Sequence, residues 1–469
     1  MKLYEHLSAT DAGVLALEKP PLGRHVIQIV YLFEGPAPSL DEVRAALDSG
    51  LAQFERFRQC IAEPPLKLGR PAWVPDHDFK LGRHVFHTSV ASPGTDAELR
   101  ALSDELNEQP LDLGRPPWQV WLVDGFADDR FAIIQRIHHS LADGVSTQAF
   151  ASALFGGTET RTTAPSQGGN EQPPTPAGLL LSSLADDLRT WRAGARSAAR
   201  LLRTPVATAT ALTSSVGPVM RAFGVVETAP ATPFNQAIGT RRRTLWLRVP
   251  IADLRATSST FETTMNNVVL AAVAGGLNRY FTRCGIAAAP VLRTLVPVSV
   301  RRSSDRSALG NQLSAIYPRL PIGDMSPAAR IAEITGETSR LMRTERPAVL
   351  RAMELTAFMP RPLAAAVHRR LHAGHRLHNL AVSNIPGSRH ALNFGGRPLL
   401  EILPSSLTMP RHGLNIAMVS YLGTMFIGVC VDPDLVPDAD LLTADLAASF
   451  GQLTEYAAPE VTGSEATAS

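Results

Sequence analysis

Apolar runs of two different periods alternate along this chain. His25–Phe33, Phe57–Ile61, Trp118–Asp124 and Phe131–Ile137 are short, rich in β-branched and aromatic residues, and flanked by turn residues. That is the pattern of strands. Leu40–Phe54 places Val43, Ala46, Leu47, Leu51 and Phe54 at helical spacing, and Asp96–Glu108 predicts a second helix. Ser8 is placed to cap a further helix beginning within Leu7–Ala12. Val145–Phe155 predicts a helix immediately after the strand that ends near Ile137. Trp118, at the start of its strand, reads as a core aromatic.

From Gly156 to Gly178 the periodicity lapses into Gly, Thr, Ser, Pro and Gln, the composition of a linker. Beyond it, Leu184, Leu188, Trp191, Ala195, Ala199 and Leu202 recur at helical spacing beside Arg189, Arg192, Arg196, Arg200 and Arg203. One helix with an apolar stripe next to a basic stripe fits a membrane-surface helix. It fits a domain-bridging helix with a solvated basic face equally well, because Asp186 and Asp187 dilute the charge.

A second series then begins. Thr244–Val249 predicts a strand, Thr264–Leu277 a long apolar helix, Leu292–Arg301 a strand, and Ser326–Thr344 a helix with Arg330, Arg340 and Arg343 on its solvent side. Asn379–Gly387 reads as a strand. Gly413–Gly423 and Thr424–Val431 read as a hairpin turning at Gly423, and Leu441–Tyr456 as a closing helix. Ser383, Asn384, Asn415 and Ser420 are polar positions in otherwise apolar strands. Each is either a hydrogen-bonded core group or a candidate lining residue of a substrate channel.

At 469 residues the chain exceeds one hydrophobic core. The pattern divides it into an N-terminal domain over 1–155, a linker with a bridging helix over 156–239, a C-terminal domain over 240–458, and a small polar tail over 459–469. A hydrophobic fraction of 45% with 19% charged residues is that of a globular rather than a disordered chain. The net charge of +2 argues against a nucleic-acid partner. Cys60, Cys284 and Cys430 are few, distant and odd in number, which predicts free thiols in a reducing compartment. The N-terminus lacks an apolar signal core, and no window is long and apolar enough to span a bilayer. A cytoplasmic location, with contact to a membrane surface open, is the expectation.

The chemistry concentrates in His138-His139-Ser140-Leu141-Ala142-Asp143-Gly144, a loop between a buried strand and a predicted helix N-terminus. A neutral imidazole accepts a proton at cellular pH, so general base catalysis suits one of the two histidines. His138 continues the strand and is expected to pack inward. The Asp143 carboxylate is expected to turn back and pair with an arginine, and Gly144 permits a positive φ or a close backbone approach. No third or fourth ligand lies at metal-binding spacing, so no metal is expected. The chain has no Gly-x-Ser-x-Gly elbow, phosphate loop or dinucleotide fingerprint, which disfavours serine hydrolase, ATPase and dehydrogenase readings.

His-His-x-x-x-Asp-Gly resembles the signature of the CoA-dependent acyltransferase superfamily, and the surrounding sequence looks like the bacterial wax ester synthase/diacylglycerol acyltransferase family. Val296-Pro297-Val298-Ser299-Val300-Arg301 and Leu309-Gly310-Asn311-Gln312-Leu313-Ser314 are similar to family segments. Thr264-Met265-Asn266-Asn267-Val268-Val269-Leu270 resembles the family's Thr-Val-Asn-Asp-Val-Val-Leu helix, with Asn267 in place of its aspartate. Pro116-Pro117-Trp118 stands where members usually carry Pro-Leu-Trp. The resemblance runs from Leu7 to about Tyr456. It implies two chloramphenicol-acetyltransferase-like domains, each a mixed sheet flanked by helices, with a tunnel between them.

It further implies acyl-CoA as co-substrate with no resident cofactor, and diacylglycerol or a fatty alcohol as acceptor. A peripheral membrane or lipid-droplet surface is a compatible partner. His139, the second histidine of the motif, is the base that the resemblance implies; with His138 and Asp143 it forms the candidate catalytic set, supported by Gly144, Asn266 and Asn311. Arg301 is the candidate partner of Asp143. Asn311, Ser383 and Ser420 are candidate oxyanion donors, while Asn266, early in its helix, reads equally as a cap. Two other functions remain open: a condensation-domain-like acyltransferase fed by a carrier protein, and a catalytically silent lipid-binding or lipid-droplet protein.

Overall fold

A computed structural model describes residues 4–8, 11–12, 15, 18, 22–23, 25–52, 54–67, 69–141, 154–155, 175–202, 228–287, 289–299, 313–356, 377–385, 387–407 and 409–457. The predicted helix from Val145 falls outside these residues up to Ala153. So do most of the Gly156–Gly178 linker and the tail.

In the N-terminal half the strands are β1 (Glu5–His6), β2 (Leu22–Gly23), β3 (Val26–Glu34), β4 (Gln59–Ala62), β5 (Ala72–Pro75), β6 (Val85–Ser89), β7 (Leu111–Asp112), β8 (Trp118–Asp124) and β9 (Arg130–His138). Helices α1 (Leu40–Leu51) and α2 (Asp96–Glu108) lie among them, each opened by a capping box, at Ser39/Glu42 and Thr95/Glu98. Helix α3 (Pro176–Leu202) leads to the C-terminal half. There follow β10 (Arg243–Pro250), α4 (Ile251–Thr260), α5 (Met265–Arg283), β11 (Val291–Ser299), β12 (Leu313–Ile316), β13 (Arg319–Pro321) and α6 (Pro327–Thr356). The chain closes with β14 (Leu380–Ile385), β15 (Asn393–Phe394), β16 (Arg397–Ser405), β17 (Leu414–Tyr421), β18 (Thr424–Val431) and α7 (Ala439–Ala457).

Two large mixed sheets result. One has the order β15-β16-β3-β9-β8-β6, antiparallel except where β6 runs parallel to β8. The other has the order β10-β18-β17-β14-β11-β12, with β13 also on β11 and with β11, β14 and β17 parallel. The mixed two-sheet α/β architecture is the one expected. Its unexpected feature is β16: this strand of the C-terminal half pairs with β3, from Leu399 opposite Phe33 to Ser405 opposite Gln28. The core of the first sheet accordingly includes Leu399, Ile402, Leu403, Tyr421 and Phe426 from the C-terminal half.

Several local expectations hold. Ser8 accepts from the Asp11 amide at 3.0 Å. Trp118 is buried, and its indole N–H donates to the Phe57 carbonyl at 2.8 Å. The β17–β18 hairpin turns through Leu422 and Gly423, both at positive φ, and the three cysteines are free thiols. Three expectations need correction. Gly178 lies inside α3 rather than in a linker, because Thr175 accepts from its amide and Pro176 sits where a helix tolerates proline best. Helix α1 stops at Leu51, so Phe54 falls in the turn before a 3-10 segment. Arg330 is buried rather than solvated: its guanidinium donates to the Pro321 and Gly323 carbonyls at 3.2 and 2.8 Å. Carbonyls at and just past a strand end captured it, which periodicity cannot show.

Candidate active site

The end of β9 carries the two histidines. The β3–β9 register places His138 opposite Val26, and the ladder continues one step further as the His139 amide donates to the His25 carbonyl at 2.7 Å. Strand then gives way to turn, with the Leu141 amide donating to the His138 carbonyl at 2.9 Å. Side chains alternate across a strand, so neighbouring histidines face different surroundings.

His138 is fully buried, as its place in the strand predicts. Its Nδ1 accepts from the Ser140 amide at 3.2 Å and lies 2.6 Å from the Ser140 hydroxyl, while its Nε2 lies 3.1 Å from Glu18 Oε1. With Nδ1 accepting, the N–H is on Nε2 and donates to the carboxylate. The same Glu18 oxygen accepts from the His25 amide at 2.6 Å and contacts His25 Nδ1. Burial pushes the Glu18 carboxyl up, but hydrogen bonds from His138 and His25, with their charge, outweigh it and hold it well below the ordinary carboxylate range. A buried anion therefore sits behind both imidazoles. Sequence reading missed Glu18 and His25, because a carboxylate 120 residues from its partner leaves no spacing signal.

His139 is half-buried, and its Nδ1 is buried with no hydrogen-bond partner among the described residues. Burial, with the charges of His138 and His25, pushes its pKa down to about 4, against the opposing pull of Glu18. The ring is neutral at cellular pH and holds a lone pair ready for a proton.

Near this strand end lies a small cleft between the two halves, of about 10 Å³, lined by Val26, Asn107, Glu108, Thr240, Arg242, Ser406 and Leu407. Val26 is the ladder partner of His138, so the cleft opens on the His138 side of the strand end, and neither histidine lines it. Its walls are fixed by bonds across the halves. The Thr244 and Arg242 amides donate to Asp104 at 2.8 Å and to Glu108 at 3.0 Å, and Asn107 donates to Ser405 at 3.1 Å.

The other candidates divide. Asp143, Gly144, Arg301 and Asn311 lie outside the described residues. Ser383 and Asn384 are on β14, half-buried and exposed respectively. Asn415 is a core amide rather than a lining group: it accepts from the Ala381 amide at 2.8 Å and donates to the His412 carbonyl at 3.2 Å. Ser420 accepts from the Gly387 amide at 3.3 Å. Asn266 is not the cap of α5; that role belongs to Thr264, whose hydroxyl accepts from the Asn267 amide at 3.2 Å. Asn267 is buried and donates to the Thr263 hydroxyl at 3.0 Å. Among the described residues no cluster of three or more His, Cys, Asp or Glu forms a metal site.

Two mixed sheets joined by a crossing strand, with a histidine pair at a strand end near an inter-half cleft, define a chloramphenicol-acetyltransferase-like two-domain fold. The wax ester synthase/diacylglycerol acyltransferase catalytic domain matches residues 7–269, and the C-terminal domain of the same family matches residues 309–454. The chain belongs to that family. It is 31% identical over 96% of its length to a "probable" diacylglycerol O-acyltransferase of Mycobacterium tuberculosis, of which 95% is covered. A second, "putative" diacylglycerol O-acyltransferase of that organism is 28% identical over 92% of this chain and 87% of its own. Among solved structures, the wax ester synthase/diacylglycerol acyltransferase of Marinobacter aquaeolei superposes with a TM-score of 0.66 at 22% identity, covering 97% of this chain and 99% of that one. The first condensation domain of the calcium-dependent antibiotic synthetase superposes at 0.63 with 18% identity, covering 98% and 97%, a likeness of fold.

Proposed function

We propose that this protein is an O-acyltransferase that moves a fatty acyl group from acyl-CoA to diacylglycerol, forming triacylglycerol. Long-chain alcohols are a second acceptor, giving wax esters. The observation that carries the chemistry is His139, a neutral imidazole at the end of β9 with a buried, unpartnered ring nitrogen. The ring takes the proton of the acceptor hydroxyl as its oxygen attacks the thioester carbonyl. The tetrahedral intermediate collapses, the C–S bond breaks, and the departing CoA sulfur takes that proton from His139. Atoms balance without a covalent enzyme intermediate, a metal or a redox cofactor. Glu18 holds His138, and through the adjacent backbone the ladder end from which His139 projects.

Both acceptors are water-insoluble, so we place the protein on the cytoplasmic side, at the surface of a membrane or lipid droplet. Among the described residues no helix is long and apolar enough to cross a membrane. Radiolabelled acyl-CoA with diacylglycerol or hexadecanol, resolved by thin-layer separation, tests the reaction. Labelled triacylglycerol, with or without wax ester, is the expected product. Absence of both, under conditions where a carrier-bound acyl group is transferred, rejects it.

A further inference from the structure

Among the described side chains of α3, Ser182, Ser183 and Asp186 turn polar groups toward the body of the protein. Ser182 and Ser183 are fully buried, Ser182 accepting from the Tyr4 amide at 3.1 Å and lying 3.2 Å from His6 Nε2. Asp186 pairs with Arg70 at 2.5 Å. Of the helix's apolar side chains near this face, Leu179 packs with Ala72 and Val74 of β5. The outward face carries Leu181, Leu184 and Leu188, which are 52%, 55% and 53% exposed. Spaced by three and four residues, they form one continuous row. Arg189 and Arg192, both exposed, continue and flank that row. A helix serving only to bridge domains would present the opposite polarity, leucines in and serines out.

A second apolar group adjoins it independently. Leu66 lies in the short turn Pro65–Lys67 that rests against α3; it is 88% exposed and held at φ +56°. A large aliphatic side chain projecting into solvent is costly unless its surroundings are apolar.

Resting on the proposed esterification of insoluble acceptors, we infer that Leu66, Leu181, Leu184 and Leu188 form the surface by which the protein sits on lipid, with Arg189 and Arg192 meeting anionic headgroups. The occupant is a lipid surface rather than a second copy of this chain. Arg189 and Arg192, exposed at the end of the leucine row, carry the charge that an anionic leaflet complements. The leucines enter the headgroup–acyl boundary, the depth at which interfacial helices lie.

Flotation of the full-length protein with phosphatidylcholine vesicles, with and without phosphatidylglycerol, tests this. The wild type should bind the anionic vesicles, more weakly as salt rises. Leu184→Ser with Leu188→Ser should lower partitioning at least about tenfold, given the apolar area withdrawn. Arg189→Glu with Arg192→Glu should remove most of the preference for anionic vesicles. Esterification in detergent micelles should be unchanged in both variants, which also shows that they fold. Wild-type vesicle binding by both variants overturns the inference. So does a wild-type dimer that the serine variant dissolves while vesicle binding persists. Loss of micellar esterification in the wild type itself would instead reject the reaction proposed above and leave the vesicle result standing.

Discussion

At the scale of single residues, the site is a division of labour between adjacent histidines on opposite faces of one strand end. His138 is tied to Glu18 and Ser140, and His139 is left with a buried unpartnered nitrogen. The family resemblance pointed to His139 as the base, and the strand pattern to His138 as the inward-packing member. It did not disclose Glu18, which chain folding delivers from another segment. Glu18→Gln keeps the shape but removes the charge. It should lower kcat by about tenfold, the scale of one charge-assisted hydrogen bond. It should also shift the acid limb of the pH–rate profile downward, because Glu18 is what pulls the His139 pKa up. An unmoved limb would deny the electrostatic role. In the wild type, activity should climb as pH rises through about 4, where His139 loses its proton, and then level off. Stability follows the same sign. The folded pKa of about 4 lies below the ordinary 6.5, so the unfolded chain takes up the proton first as pH falls. Stability is therefore lost between these two values, and urea midpoints should fall from pH 7 to pH 5 more in the wild type than in His139→Gln.

At the scale of elements, strands and helices with strong periodicity were readable to within a few residues, as in α2 and the β17–β18 hairpin. What misled was chemistry at their ends. Arg330 reads as solvated until the carbonyls it captures are seen, and Asn267 reads only as a departure from the family's aspartate. Helix α5 shows instead that Asn267 is part of a cap: its amide N–H goes to Thr264, its side chain to Thr263, and Thr263 lies 2.7 Å from the Thr335 hydroxyl. Thr264→Ala should cost about 1 kcal/mol in denaturant unfolding. Asn267→Asp puts a negative charge in the first turn, where the helix dipole favours it. It should leave esterification at the wild-type rate; a marked gain would mean that the carboxylate has a catalytic role this chain gave up.

At the scale of the molecule, the two halves are not beads on a string. Strand β16 enters the first sheet beside β3, and its Pro404 carbonyl lies so close to Gly428 of β18 that a side chain there would collide with it. Trp246 donates to that same carbonyl at 3.1 Å. No period in the sequence announces such an exchange, because an antiparallel partner is chosen by edge geometry rather than by local pattern. Gly428→Ala should force β16 from its seat. It should depress turnover together with thermal stability, read as a lower melting temperature and a lower rate in the same preparation. The central claim, that the imidazole of His139 performs the proton transfer at the junction of the halves, is tested most directly by the initial rate of CoA release from acyl-CoA and diacylglycerol in His139→Ala. With an unaltered melting temperature, the rate should fall by about 10²–10⁴-fold. A correctly folded His139→Ala protein that releases CoA and forms triacylglycerol at the wild-type rate would contradict the account.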